Sequence, residues 1–333
     1  MDFTKPIDIT AVNEAKVKYG NLLQSVLFMS AASMLKHCTA VPGLTSAIKV
    51  GMAGKGSILK KYKGVFEGNS NLGAVVPRLL EVWPIVAEMM DEPERYRKTY
   101  IAEVPGDIRA KHPFELWLLQ RGIDQASEDL FKVLMNAERS ENPDDTDAKD
   151  AFNGWGTIVE AEKVTNKISV DAGNMFSTGA FTTEDVGNQL LEMYRSRPET
   201  FRSMKKDIKL FVSEDVADMY DDWRIARGHV IIGQTEEVNS TKLLGSNGRC
   251  EIVRLGNLPG NSQFAMLTTK KNMLYGFDKE SDMTNMIPFF KDPYLFTAAM
   301  KFVFGCEFNS IDGSEFCVND QPLKPAAAQV PNE

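Results

Sequence analysis

The stretch IKLFVSEDVADMYDDWR, residues 208–224, places a serine and then five carboxylates directly after a short apolar run. A hydroxyl group at the end of a strand, followed by clustered aspartates, is typical of phosphoryl-transfer and metal-hydrolase sites. The same order is typical of a strand that passes into a capped helix. The two interpretations predict different proteins, an enzyme in the first case and a structural junction without catalytic residues in the second.

The spacing of the carboxylates favours the helix. In a helix that begins after Ser213, the aspartates Asp215, Asp218 and Asp222 share one face and the apolar residues share another. Ser213 is then the predicted N-cap, and Gly228 suits the position just beyond the C-terminal end. A metal-dependent hydrolase that uses the three aspartates remains the alternative.

The composition indicates a folded globular chain. It has 333 residues, of which 43% are hydrophobic and 25% charged. The net charge of −8 and the pI near 5.2 argue against a dedicated nucleic-acid-binding protein, because phosphate binding needs a concentrated basic surface. The cysteines have no CxxC or CxxxC spacing, so reduced thiols are expected and no zinc ribbon is predicted; they are Cys38, Cys250, Cys306 and Cys317.

The N-terminal sequence predicts neither secretion nor a membrane anchor. It begins MDFTKPIDIT, which is acidic and polar where a signal peptide carries basic residues and then an apolar run. The most apolar early segment, residues 22–35, is short of the ~20 residues that span a bilayer. We therefore expect no membrane partner.

The pattern along the first half of the chain predicts a helix, a long arm and a second helix. Apolar residues at helical spacing predict an N-terminal helix over residues 11–38. Glycine, lysine and proline dominate residues 41–110, where the alternation in residues 95–104 predicts strands of a two-stranded arm. A helix of about 27 residues is predicted from Pro113, with a bend at Gly122.

Short helices and strands alternate in the second half of the chain. Residues 182–198 predict a helix with Thr183 as the N-cap and a stop before the proline. Apolar runs predict further strands, at residues 230–232, 250–255 and 264–268. Together with the first half, this order predicts an α+β fold.

No motif has the pattern of a catalytic or cofactor site. The segment GMAGKGS, residues 51–57, fails as a phosphate-binding loop because a glycine separates its lysine from its serine. No GxSxG elbow anchors a nucleophilic serine. The histidines have no zinc-ligand spacing; they are His37, His112 and His229. We therefore predict no catalytic residue, no cofactor and no metal.

The order of these segments resembles the major capsid proteins of tailed bacteriophages, whose Johnson fold also occurs in encapsulins and herpesvirus capsid floors. The resemblance covers nearly the whole chain. It rests on the Gly/Lys/Pro-rich loop and on phrases in the family's order, namely HPFELWLL, FNGWGTIVEAEK, IKLFVSEDVADMYDDWR, SQFAMLTTKKNMLYGFDKESDM and IPFFKDPYLFTAAMKFVFGCEF.

The resemblance implies five segments. They are an N-terminal arm and helix (1–50), an extended loop (51–110), a spine helix with part of the peripheral domain (111–150), an axial domain (151–285), and a return through the peripheral domain with a C-terminal tail (286–333). The arm starts within a few residues of Met1, so we expect any scaffolding segment to be separate or absent from this chain.

The resemblance also implies a non-enzymatic structural protein that assembles into hexamers and pentamers of an icosahedral shell around double-stranded DNA. Its expected partners are itself, scaffolding, portal and decoration proteins, and DNA bound without sequence specificity. The expected location is the virion, assembled in the cytoplasm of the bacterial host. An encapsulin-like compartment with a protein cargo is the alternative. The residues expected at contacts between subunits are Lys60, Lys61, Arg95, Tyr96 and Arg97.

Overall fold

The computed structural model describes residues 33–52, 59, 61, 64, 76–104, 114–204, 207–227, 241–279, 282, 286–292 and 295–324. Most of the predicted N-terminal helix lies outside these residues, and so do much of the predicted arm, Gly228 and the predicted strand at 230–232. Helices and sheets are mixed along the described chain, and the predicted α+β class is confirmed.

The strands of the described residues form two five-stranded sheets and a two-stranded sheet. In chain order the strands are β1 (Thr39–Val41), β2 (Ile48–Val50), β3 (Arg78–Leu80), β4 (Trp83–Asp91), β5 (Met175–Phe176), β6 (Ile208–Ser213), β7 (Cys250–Leu255), β8 (Ala265–Thr269), β9 (Met273–Gly276), β10 (Ile287–Asp292), β11 (Leu295–Phe308) and β12 (Phe316–Asn319). The predicted strands at 250–255 and 264–268 are confirmed, the second shifted by one residue.

Six α-helices and a short 3-10 turn, Ala148–Asp150, accompany these strands in the described part of the chain. The helices are α1 (Glu94–Glu103), α2 (Phe114–Val133), α3 (Trp155–Val164), α4 (Val186–Arg195), α5 (Glu199–Met204) and α6 (Glu214–Ala226).

Sheet I has the strand order β5-β12-β8-β6-β7. Strand β6 lies between β7 and β8, parallel to β7 and antiparallel to β8, and all six of its residues are buried. Leu210 packs in a cluster with residues of α4 and α6, whereas Phe211 packs in the cluster that includes α2 and α3. Both faces of β6 are covered, which explains why the strand is rich in apolar residues.

Sheet II has the order β1-β9-β11-β10, with β4 also paired to β11. Strand β11 has 14 residues and is antiparallel to three other strands. Its first part pairs with β4, from Phe296 opposite Asp91 to Phe304 opposite Trp83. Its last four residues pair with β9 instead. One long strand therefore joins the β4–β10 end of the sheet to the β1–β9 end.

The change of partner along β11 occurs at a pair of glycines. Gly305 lies opposite Gly276, at the point where the chain between β3 and β4 crosses the sheet. A Cβ atom on Gly305 would lie 1.9 Å from the carbonyl oxygen of Glu81, and one on Gly276 would lie 2.7 Å from Cγ1 of Val82. The crossing is possible because neither position carries a side chain.

The prediction of strands at residues 95–104 is wrong, because this segment forms helix α1. Tyr96 and Tyr100 are four residues apart and lie on one helical face. The ring of Tyr100 contacts Phe114 at 5.3 Å and Trp117 at 5.9 Å between centroids, both on α2. Packing against α2 thus stabilises the helical conformation, although the alternation of polar and apolar residues in this segment is typical of a strand.

Helix α2 is shorter than predicted, with 20 residues, and ends at Val133. The chain beyond it is held by the start of α3, where Gly154 donates to the carbonyl of Ala137 and Trp155 to that of Leu134. The predicted bend at Gly122 is not seen, because the helix is continuous through it. A Cβ atom there would lie 3.1 Å from Sδ of Met286, so the glycine allows close packing.

The predicted N-cap at Thr183 is also wrong. Helix α4 begins at Val186 with Asp185 at the N-cap position, and no side chain caps it. Residues 182–185 form a turn in which Asp185 and Val186 both donate to the carbonyl of Thr182. A backbone carbonyl therefore satisfies the donors that the threonine hydroxyl was expected to satisfy. The helix does end before Pro198, as predicted.

None of the helices in the described part of the chain is long and apolar enough to cross a bilayer. The four cysteines are buried free thiols.

The glycine crossing gives a stability test. Gly305→Ala places a methyl group against the backbone of Glu81, so we expect the free energy of unfolding to fall by about 1–3 kcal/mol or more. Gly256→Ala is the control, since no atom lies within 4 Å of its added Cβ. Urea unfolding of the isolated subunit measures both. Equal effects of the two substitutions would contradict the crossing.

Candidate assembly surface

Ser213 is the N-cap of helix α6. The hydroxyl oxygen of Ser213 accepts from the backbone N–H of Val216 at 3.3 Å, and the hydroxyl donates to the carbonyl of Ser262. The predicted N-cap is confirmed. Both the donor and the acceptor capacity of this buried hydroxyl are engaged in holding β6, α6 and the chain before β8 together.

The carboxylates of α6 surround an arginine from the neighbouring strand. Arg254 on β7 places Nη1 2.9 Å from Glu214 and 2.8 Å from Asp218, and its Nη2 binds Asp221. Asp215 accepts from the backbone N–H of Asn261. In the described ranges no group of three or more histidine, cysteine, aspartate or glutamate side chains could hold a metal ion.

The predicted hydrolase aspartates thus do not converge on a common point. Asp218 binds Arg254, Asp215 binds the loop before β8, and Asp222 is exposed. The guanidinium group occupies the position at which a cation could meet several carboxylates. Its contacts stabilise the packing of α6 on β7 rather than presenting free oxygen ligands.

A second arginine lies at the end of the loop that joins β2 to β3. Arg78 begins β3, and its partner across the two-stranded sheet is Val50. Its Nη1 lies 2.7 Å from Glu162 on α3, and its Nη2 lies 2.6 Å from Glu307 on β11. All three side chains are largely buried. The two ends of the loop are therefore fixed to the body of the subunit by a buried ion cluster.

Burial and ion pairing affect the pKa values of Glu307 and Arg78 differently. Burial raises the pKa of Glu307, and the ion pair with Arg78 opposes this rise without cancelling it. Burial works against the charge of Arg78, but Glu307 and Glu162 outweigh it and raise the pKa of the guanidinium. Two carboxylates thus share one cation in a site with little water.

The predicted contact residues have different surroundings. Lys60 lies outside the described residues, and Lys61 is exposed. Arg95 pairs with Glu92 at 2.9 Å, and Arg97 pairs with Glu94 at 2.9 Å. The hydroxyl of Tyr96 donates to Asp91, and its ring lies 6.4 Å from that of Trp117. The structure brings Arg95, Tyr96 and Arg97 together on α1, where each has a partner in its own subunit. Their contact with other subunits stays a prediction.

Sequence reasoning missed an apolar face on sheet II. The register places Phe289, Thr297 and Met90 side by side, and likewise Ile287, Ala299 and Glu88. Residues opposite each other in antiparallel strands share a face. On this face the side chains exposed by about half are Val86 (59%), Met90 (57%), Ile287 (52%) and Phe289 (45%). The alternation in WPIVAEMM was the available signal, but only the pairing with β10 and β11 shows that the exposed residues converge.

A groove of about 470 Å³ runs between β4 and α2. Consecutive residues 85–91 of β4 form one wall, and the second half of α2 forms the other. Apolar side chains such as Met89, Leu130 and Phe302 line it, together with the carboxylates of Glu88, Asp91 and Asp129. An apolar groove with a few charges of one sign is a common form of protein-binding site.

No family model and no curated protein matches the sequence. A chain of the satellite phage P4 procapsid, a particle that includes the size determination protein Sid, superposes with a TM-score of 0.55 at 13% identity, covering 90% of this chain and 98% of that chain. A chain of the native GTA particle capsid superposes with a TM-score of 0.51 at 9% identity, covering 87% and 90%.

These superpositions establish the fold. The chain has the fold of phage major capsid proteins, the Johnson fold, and the resemblance found in the sequence is confirmed at that level. A shared fold does not by itself establish a function.

The cap at Ser213 can be tested. Ser213→Ala removes the acceptor for the Val216 N–H, and we expect the free energy of unfolding to fall by about 1 kcal/mol or somewhat more. Ser203→Ala on α5 is the control, because its exposed hydroxyl binds only a carbonyl of its own helix and its loss should change little. Thermal unfolding of both variants measures the difference, and an unchanged Ser213→Ala stability would contradict the cap.

The ion cluster predicts a pH dependence. Since the folded pKa of Glu307 is raised, the folded state keeps a proton that the unfolded chain has released. The contribution of Glu307 to the free energy of unfolding is therefore fully present below the ordinary glutamate pKa of 4.5. It is lost as the pH rises through the raised pKa of Glu307 in the folded state. Urea unfolding at a series of pH values should show this loss in the native chain and a flatter profile in Glu307→Gln. The exposed Glu141→Gln should keep the native profile, and identical slopes in all three chains would contradict the prediction.

Proposed function

We propose that this chain is the major capsid protein of a tailed bacteriophage, and that copies of it assemble into an icosahedral shell around double-stranded DNA. The observation that carries the proposal is the superposition on the P4 procapsid chain over 90% of this chain and 98% of that one. In such a shell the subunits form hexamers and pentamers, and the protein performs no catalysis. Its location is then the virion, after assembly in the cytoplasm of the host.

The surface of the single subunit supports self-assembly. The exposed face of sheet II carries Val86, Met90, Ile287 and Phe289, and exposed apolar side chains that cluster on a folded subunit are typical of protein–protein contacts. The loop between β2 and β3 carries Leu59 with 92% of its side chain exposed. Apolar groups of this kind gain free energy when a neighbouring copy covers them.

The charge of the chain supports a container rather than a DNA-binding protein. A net charge of −8 allows DNA to be enclosed without tight binding to the wall. Portal, scaffolding and decoration proteins are the further partners of the proposed shell. The second candidate is an encapsulin-like compartment, which has the same fold and encloses a protein.

The test is the assembly state of the full-length chain. We expect electron microscopy of the purified protein to show rings of five or six subunits, or closed shells. Nuclease-resistant double-stranded DNA in particles from infected cells supports the phage capsid, whereas an enclosed enzyme supports the compartment. A persistent monomer with divalent-metal-dependent hydrolase activity, lost in Asp218→Asn, would contradict both.

A further inference from the structure

One end of sheet I carries a concentration of positive charge. Strands β6 and β7 begin at this end and β8 ends there, because Ile208 lies opposite Cys250 on one side and Thr269 on the other. Basic side chains adjoin these strand ends, and more come from α4, α5, the turn before β7 and the segment before β1. We call this set the basic end of sheet I: Lys36, Arg195, Arg202, Lys242, Arg249, Lys270 and Lys271.

The turn at residues 243–249 holds two of these charges beside its glycines. A Cβ atom on Gly245 would lie 3.6 Å from Nη2 of Arg195, and one on Gly248 would lie 3.7 Å from Nζ of Lys242. Both glycines have a left-handed backbone, with φ of 82° and 70°, which favours residues without a side chain. The two charged groups therefore lie next to bare backbone that a ligand can approach closely.

Two further arginines extend the charge from this turn to α5. Arg249 ends the turn, and its Nη1 donates to the carbonyl of Arg202 at 2.9 Å. Burial raises the pKa of Tyr194 on α4, and the positive charges of Arg249 and Arg202 oppose this rise. Both guanidinium groups thus act on the same side chain, and the turn, α4 and α5 present their charges on one surface.

The carboxylates closest to these charges do not neutralise them. Glu192 and Glu199 lie three residues before and four residues after Arg195, yet neither forms an ion pair in the part of the chain that the structure describes. Glu251 on β7 binds Lys209 of the neighbouring strand instead. The cations around the turn therefore keep their charge free for a ligand.

The positive field at this end also acts on a buried histidine. Burial and the charge of Lys209 lower the pKa of His37 to about 4, against the opposing effect of Glu251. Lys36 and Lys270 lower this pKa further. Lysines from β6, from the segment before β1 and from the end of β8 thus converge here, while the imidazole itself is neutral near pH 7.

The turn is held in place by hydrogen bonds to its surroundings. The backbone N–H of Leu244 donates to the hydroxyl of Tyr220 on α6 at 2.8 Å. The hydroxyl of Ser246 donates to the carbonyl of Leu243 at 2.7 Å and accepts from the backbone N–H of Cys250 at 3.3 Å. Because the turn is pre-organised, the charges beside it bind a ligand at a reduced ordering cost.

The composition of the basic end favours a nucleic acid over a protein as its ligand. Four of its seven cations are lysines, which are depleted in the contacts between proteins. The exposed apolar side chain beside the turn is Leu244, at 39%. Surfaces that bind DNA are much more positively charged and polar than those that bind proteins. Arginine forks also match the geometry of phosphate oxygens.

We propose that the basic end of sheet I binds the phosphate backbone of double-stranded DNA without reading its sequence. Phosphates recur along a duplex at about one charge per 1.7 Å of axis, so several of the cations engage one duplex together. Since the chain as a whole is acidic, the contact is confined to this end and is weak. The inference rests on the proposed function, because DNA is the polyanion that the proposed shell encloses.

Binding of a short fluorescent DNA duplex to dispersed full-length subunits tests this contact. We expect a dissociation constant of about 10⁻⁶ to 10⁻⁴ M at physiological salt, with equal affinity for duplexes of unrelated sequence. Contact with about four phosphates should lower the affinity roughly 100-fold between about 50 mM and about 200 mM salt. A clear preference for one sequence, or an affinity that salt does not change, would contradict the proposal.

Charge reversal beside the turn locates the contact. Arg195→Glu combined with Lys242→Glu should lower the affinity at least tenfold and flatten the salt dependence. Both side chains are exposed, and no hydrogen bond or ion pair ties them to the described chain, so the unfolding midpoint should be unchanged. The matched control is Lys98→Glu with Lys301→Glu, an equal charge change at exposed positions on α1 and sheet II. Equal losses of affinity in the two variants would overturn the assignment.

Further outcomes separate this contact from its rivals and from the proposed function. A polyglutamate peptide that binds as tightly as a duplex of equal charge assigns the basic end to an acidic protein and overturns the DNA contact. Normal shells from subunits that do not bind the duplex also overturn it, and leave the capsid function standing. Subunits that bind DNA through the basic end but form neither rings nor shells support the contact and count against the capsid function.

Discussion

The pairing of β11 with three other strands is the constraint on which the rest of the subunit depends. A single strand of 14 residues holds β10 and β4 on its two sides and then passes to β9. Because one strand takes part in every one of these pairings, a shift of register would move side chains from one face to the other along the whole sheet. The partner changes at Gly305 and the opposite Gly276, where the absence of side chains leaves room for the crossing chain.

The buried ion cluster at Arg78 links strand β11 to the loop between β2 and β3. Arg78 holds Glu307, the residue before the end of β11, and Glu162 on α3. Buried ion pairs add little net stability when compared with apolar packing, but loss of one partner leaves a charge without compensation. Such a cluster therefore acts on conformational specificity. It allows one position of β3 relative to β11 and so sets where the loop leaves the subunit.

Local sequence rules predicted the parts of this fold that local interactions determine. The strand, cap and helix around Ser213 follow from a hydroxyl, two acids and an apolar period within about one turn of each other. The same rules gave a wrong prediction for residues 95–104, because the helical conformation of this segment depends on contacts with Phe114 and Trp117, which lie outside it. The end of α2 depends likewise on Gly154. The groove was beyond sequence reasoning, since β4 becomes an edge only through a partner more than 200 residues away.

The acidity of the groove also bears on which contacts an open edge permits. Two identical β4 edges could in principle pair with each other, which would join subunits in unproductive dimers. In such a pair Glu88 and Asp91 of both copies would lie along one narrow ribbon, near the two Asp129 side chains. Like charges held close at a partly desolvated contact oppose association. The carboxylates of the groove therefore disfavour self-pairing of the edge. The same three residues thus discriminate against the simplest wrong assembly.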